Sequence, residues 1–180
     1  MKPIRRIVVA CDAAGVSRIV SDAPMQHPHL AGNNPKHVIQ EIWRTDATPA
    51  GYRISEAEAA PFKLAPPANG TALRIIDLPP DKERDFSKLK QVFDAYDAPG
   101  ALTKQAARHP AFHQTATVDY AMVLEGEVWA LLDEGETLMQ AGDVLIQLGS
   151  NHAWSNRSEA NCRLLFVLID AQAPAGMTPA

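Results

Sequence analysis

Three side chains in the second half of the chain, His113, Asp119 and His152, are the residues whose types suit chemistry. Alternate side chains of a strand share a face, so His113, Thr115, Thr117 and Asp119 would line one surface if no bulge intervenes. If His152 met that surface, two neutral imidazoles and one carboxylate could hold a divalent ion such as Fe, Mn, Ni or Zn and leave positions open for substrate or oxygen. The same residue types support metal-free proton transfer, with Asp119 orienting an imidazole against a bound carbonyl compound or sugar. They also fit a structural role, in which the carboxylate accepts from a threonine or an amide and the histidines are satisfied by neighbours. Trp154 lies two residues past His152 and would point the same way on a strand, walling a cavity. Thr115 and Gln147 are further candidates for contact with a ligand.

Other histidines carry less. His27-Pro28-His29 has ligand-pair spacing but lies in a Pro-rich loop without a nearby carboxylate. His109 and His113 are separated by Pro110, which argues against a shared helix face, and His37 has no evident partner.

The elements that must position these residues are mostly strands. Short β-branched runs at 6–10 and 17–21 flank Asp12-Ala13-Ala14-Gly15, a hairpin pattern. Residues 22–37 are rich in Pro, Gly and Asn and read as a loop. Strands are expected at 39–44 and 71–78, with an Ala/Pro-rich loop at 48–70 between them that could cover the pocket or form a dimer arm. Phe86, Leu89, Val92, Phe93 and Tyr96 recur at helical spacing and predict one helix over 85–96. Strand signals then follow in quick succession at 118–124, 127–132, 136–139, 144–148 and 162–169, with turns at Glu125-Gly126, Asp133-Glu134-Gly135 and Ala141-Gly142-Asp143. The last run is apolar on both faces and should be covered on both sides.

Two spaced motifs carry a family resemblance. The first reads His113-Gln114-Thr115, then Asp119, then Gly126; the second reads Gly142-Asp143-Val144, then Gly149, His152 and Asn156. In this order among strands they resemble the paired motifs of the cupin superfamily. The resemblance implies an all-β fold, the double-stranded β-helix (cupin) barrel, with N-terminal extra strands and one short helix. One domain over 1–180 is expected: 1–100 packing on the barrel, 101–170 carrying the core motifs and 171–180 forming a tail. The resemblance also implies that barrel closure brings His152 opposite His113, with Asp119 completing a metal site. Thr115 stands where the family's second histidine is usual, Asp119 where a glutamate is usual, and Gln147 near the place of the proline. Only His113 and His152 of the usual four ligands are unchanged.

The implied function is a small-molecule enzyme acting by Lewis-acid or oxygen-dependent chemistry on a small organic acid or related metabolite. The alternatives are a metal-free ligand-binding barrel and a metal-free acid/base isomerase or lyase. Bulk properties narrow the partners. Of 180 residues, 46% are hydrophobic and 21% charged, as in a globular domain, and the net charge of -4 comes without the basic stripe that phosphate backbones require. Nucleic acid is not expected as a partner. The apolar run after Arg6 ends at Asp12, and no stretch approaches the roughly 18 apolar residues of a membrane span, so no membrane association is expected. Two separated cysteines, Cys11 and Cys162, suggest free thiols in a reducing, cytoplasmic setting. Asn156-Arg157-Ser158 fits a glycosylation sequon but reads as a loop after a strand. Apolar strand faces suggest a homodimer.

Overall fold

Asp12 closes the first turn of the chain. Its Oδ1 accepts from the amides of Ala14 and Val16, and Gly15 takes the left-handed conformation (φ 79°) that the turn needs. This hairpin joins β1 (Arg5–Cys11) to β2 (Ser17–Pro24) as a separate two-stranded sheet. The computed structural model describes residues 2–52, 62–103 and 108–173. Part of the Ala/Pro-rich loop, 53–61, and most of the expected tail, 174–180, lie outside them.

The chain continues through β3 (His29–Leu30), β4 (Val38–Thr45), β5 (Thr71–Leu78), helix α1 (Leu89–Ala95), β6 (Thr117–Glu125), β7 (Glu127–Leu132), β8 (Glu136–Gln140), β9 (Val144–Leu148), β10 (His152–Ser155) and β11 (Cys162–Asp170). Two antiparallel sheets pack around one core in the manner of a jelly roll, one of six strands in the order β3-β4-β5-β11-β6-β9 and one of three in the order β10-β7-β8. The last strand in sequence is thus inserted between β5 and β6.

Alternation explains which side chains enter the core. Along β11, Cys162, Leu164, Phe166 and Leu168 are buried, and they pack with Ala121 and Val123 of β6, Val128 and Ala130 of β7 and Met139 of β8. Gly126 permits the tight return from β6 to β7. It has φ 79°, and a Cβ there would lie 3.0 Å from the Asn161 carbonyl oxygen.

The helix is shorter than its apolar spacing predicts. Asp85 accepts from the Ser87 amide and starts a 3-10 turn at Phe86–Lys88, and the α-helix proper begins only at Leu89. A single turn within the predicted loop, at Ala31–Asn33, also forms a 3-10 helix, next to the two-residue strand β3.

Candidate active site

The two motif histidines are joined through their main chains. The His113 amide donates to the His152 carbonyl (2.8 Å) and the His152 amide donates to the His113 carbonyl (3.0 Å). This bridge sets the imidazoles side by side, with ring centroids 4.2 Å apart. Each Nδ1 lies 2.9 Å from a backbone carbonyl two residues upstream, that of Ala111 for His113 and of Ser150 for His152. A carbonyl only accepts, so the Nδ1 atoms carry the protons and the two Nε2 atoms keep their lone pairs. Burial lowers the pKa of both rings, and for His152 the neighbouring His113 lowers it further.

Asp119 comes from the other wall. It sits in β6 opposite Leu168 of β11 and Gln147 of β9, is 5% exposed, and its Oδ1 has no hydrogen-bond partner among the described residues. Burial raises its pKa to about 6 against the opposing pull of the Thr117 hydroxyl and the Arg74 guanidinium.

Between the walls lies a cavity of about 150 Å³. Its lining is mainly Ile39, Phe62, Ile76, Phe93, Trp154 and Phe166, with His113, His152, Asp119, His37, Tyr96, Arg74 and Arg84 as the polar members. Both arginines are committed elsewhere. Arg74 binds Glu41 through Nε (3.0 Å) and Nη2 (2.9 Å) and donates to the carbonyls of Lys63 and Leu64. Arg84 binds Asp81 (3.0 Å) and the Trp154 carbonyl (3.1 Å). Burial lowers the His37 pKa to about 3 and raises that of Tyr96 to about 12, so both groups are neutral near pH 7. The Tyr96 hydroxyl is buried without a partner among the described residues.

The structure therefore brings His113, Asp119, His152 and Trp154 to one cavity. It does not close the first three into a coordination group: among the described residues, no three His, Cys, Asp or Glu side chains are placed to hold a metal ion. Residues 113–116 are not part of β6, which begins at Thr117, so strand alternation does not carry from His113 to Asp119. Two Nε2 lone pairs stand on neighbouring rings, but the carboxylate does not join them. Thr115 and Gln147 are buried but are not among the side chains lining the cavity. Thr115 instead shares a hydrogen bond with Thr117 (2.8 Å), and Gln147 donates to the Ser150 carbonyl (3.4 Å).

Among the discounted histidines, His109 lies against Asp81 (3.3 Å) and His29 packs on Phe62 (4.8 Å between centroids), whereas His37 lines the cavity. Tyr96 and Arg74 were hidden in plain patterns. Tyr96 reads as the end of an apolar helix stripe. Arg74 is the one basic residue within the β-branched run Thr71–Leu78, and Glu41 is the one acid in the neighbouring strand. The sequon asparagine, Asn156, is 1% exposed and ties a turn together, donating to the carbonyls of Leu78 (2.9 Å) and Ala160 (2.8 Å).

No protein-family model matches the sequence. Phomopsin biosynthesis cluster protein C' of Diaporthe leptostromiformis is 27% identical over 174 residues, which is 93% of this chain and 78% of that protein. The cupin-domain-containing oxidoreductase virC of Hypocrea virens is 38% identical over 64 residues, 33% of each chain. Among solved structures, the Cnp3 cupin domain of Schizosaccharomyces pombe overlaps with a TM-score of 0.46 at 10% identity, covering 92% of this chain and 87% of that one. The chain thus carries the two motifs in order, with their histidines bridged main chain to main chain, and across a third of its length it is similar to a cupin-domain-containing oxidoreductase.

Proposed function

We propose that this chain is a cupin-type enzyme of small-molecule biosynthesis that moves a proton on a neutral, mostly apolar substrate held between its two sheets. The observation that carries the reading is Asp119, a residue lining an apolar cavity whose buried carboxyl has one oxygen without a partner among the described residues and a pKa raised to about 6. A general base works best when its pKa lies near the working pH, and burial makes this carboxylate more basic than an exposed one. The lone pairs on Nε2 of His113 and His152 supply further acceptors. The relatives, described as biosynthesis cluster proteins and cupin-domain-containing oxidoreductases, support the biosynthetic setting. The expectation of a small organic acid finds no support among the described lining residues, because Arg74 and Arg84 are already paired and Asp119 would repel an anion. A test is exchange of the methyl protons of acetophenone in deuterium oxide. The wild-type protein should accelerate exchange over buffer, and Asp119→Asn should lose about 100-fold of that acceleration. Equal rates for the two proteins would remove Asp119 from the reaction, and a wild-type rate equal to buffer would leave a ligand-binding barrel without turnover.

A second reading is favoured by the paired, backbone-tethered imidazoles, an arrangement that presents two Nε2 lone pairs as metal ligands do. It is a divalent-ion centre (Fe, Mn, Ni or Zn) resting on His113 and His152. The described residues fall short of the full ligand set. Elemental analysis of the protein beside a His113→Ala, His152→Ala variant decides it: near-stoichiometric metal lost in the variant supports the centre, and no metal after incubation with Fe(II) or Mn(II) removes it.

Two broader expectations join this reading. Cys11 and Cys162 are free thiols, which supports a reducing, cytoplasmic setting. Among the described residues no helix is long and apolar enough to cross a membrane.

A further inference from the structure

We propose that the outer face of the six-stranded sheet stacks on that of a second copy of this chain, with the β1–β2 hairpin of each copy lying against β9 of the other. Cross-strand partners share a face, so the register sets Trp43, Leu73, Val167, Tyr120 and Ile146 in one row across β4, β5, β11, β6 and β9. The neighbouring row, Ile75, Leu165, Met122 and Val144, is apolar as well. Neither row holds a charged side chain, so the face has no ion pair to offer a polar partner.

The chain itself shows what covers such a face. Its own hairpin stands over the β4 end of the first row, where Arg6 and Val8 line a cleft of about 240 Å³ with Ile42, Trp43 and Leu73, and Arg6 donates to the Ile42 carbonyl (3.4 Å). The β9 end of the same row lies four strands away, about 19 Å at the spacing of a sheet, and Ile146 there is left 55% exposed. The hairpin is equally short of cover. No residue of β1 or β2 is buried, the two strands form a sheet with each other alone, and an isolated two-stranded hairpin is marginal in water at best. Val9 pairs with Ile19, so Ile7, Val9 and Ile19 form an apolar stripe on the face opposite Val8.

Symmetry brings these two uncovered surfaces together. A two-fold axis across the middle of the row sets the β4 end of one sheet opposite the β9 end of the other, so each hairpin is held between its own β4–β5 and the β9 of the second copy. The three stripe residues, with Tyr120, Val144, Ile146 and Leu148, are exposed over 43–69% of their surface. Together they amount to on the order of 800 Å² per copy, which is what each partner of a stable dimer buries.

Sedimentation of the full chain tests this by exchanging charges between the two surfaces, with circular dichroism to check folding. Ile19→Lys and Ile146→Asp alter exposed positions and leave the single chain folded, but each puts two unpaired charges into a homodimer. Each variant alone should sediment as a monomer where the wild type is a dimer, its dissociation constant raised about 100-fold. Mixed in equal amounts, the two should form a dimer, because the introduced lysine of one copy meets the introduced carboxylate of the other while the second contact stays as in the wild type. Val9→Lys in place of Ile19→Lys repeats the test from the facing strand. A dimer in either variant alone leaves its surface outside the interface and overturns the proposal. A mixture that stays monomeric shows that the hairpin and β9 do not meet, and a wild-type monomer at micromolar concentration gives the face to another occupant; either result overturns it.

Discussion

His113 and His152 exchange both main-chain hydrogen bonds, and the Nδ1 of each ring is tied to a backbone carbonyl, so the two imidazoles are held side by side. Both rings, and His37 with them, are held neutral by burial. Their folded pKa values lie below the ordinary histidine value, so the unfolded chain binds protons more tightly. The stability they contribute is complete above pH 6.5 and is lost as pH falls below it, for His37 by about 1.4 kcal/mol per pH unit down to its folded value of about 3. Denaturant midpoints at pH 7 and pH 5 should show this loss, and His152→Gln should flatten the slope by one histidine's share. A slope unchanged in the variant would contradict a buried, neutral His152.

Asp119 acts with the opposite sign. Its folded pKa, raised to about 6, lies above the unfolded value, so its protonated form favours folding at low pH and stability is lost as pH rises from 3.8 through 6. The difference amounts to about 3 kcal/mol at pH 8. Asp119→Asn should therefore be more stable than the wild type at pH 8 by up to about 3 kcal/mol, with the gain gone at pH 4. Equal melting curves at pH 8 would place Asp119 in a better-solvated position.

The Arg74–Glu41 pair is the largest charge commitment next to the cavity, with both side chains 3% exposed. Glu41→Ala leaves a buried guanidinium without its partner and should cost about 3–5 kcal/mol, whereas replacing both residues by Leu and Met should cost far less. Equilibrium denaturation of the two variants checks this, and similar losses in both would mean that packing rather than charge sets the cost.

Asn156 should behave as a structural residue. Its amide nitrogen donates to two carbonyls and its Oδ1 accepts from the Ser158 amide (3.0 Å) and hydroxyl (2.7 Å). Asn156→Ala leaves several buried groups unpaired and should cost about 3 kcal/mol. A loss under 1 kcal/mol in denaturation would contradict the burial assigned to it.

The outer face of the six-stranded sheet is apolar and open, with Val144, Ile146 and Leu148 of β9 at 53%, 55% and 69% exposure beside Tyr120 of β6 at 43%. Contiguous exposed apolar surface of this kind is a mark of association. Light scattering at micromolar concentration should give a dimer, and Ile146→Lys should shift it to monomer. A wild-type monomer would remove the expectation.

Much of this fold could be read in advance where local pattern and tertiary packing agree. The β-branched runs of β5, β7 and β9 begin and end where the turn residues said they would. β10 was not legible, because His152-Ala153-Trp154-Ser155 has no β-branched residue and is a strand only by pairing with β7 and His113. For the site, spacing identified His113, His152 and Asp119, but the geometry that decides their chemistry is set by strand order, which no local pattern contains. Tyr96 belongs to the site through the packing of α1 over the cavity, whereas its spacing fits a simple core stripe.

Carbon-13 NMR titration of the aspartate carboxyls, with Asp119→Asn to assign the signal, reads the proposed base itself in the absence and presence of acetophenone. An inflection near pH 6 in the free protein that moves when acetophenone is bound is the expected result. An inflection near pH 4, unmoved by acetophenone, would make Asp119 a solvated carboxylate outside the reaction.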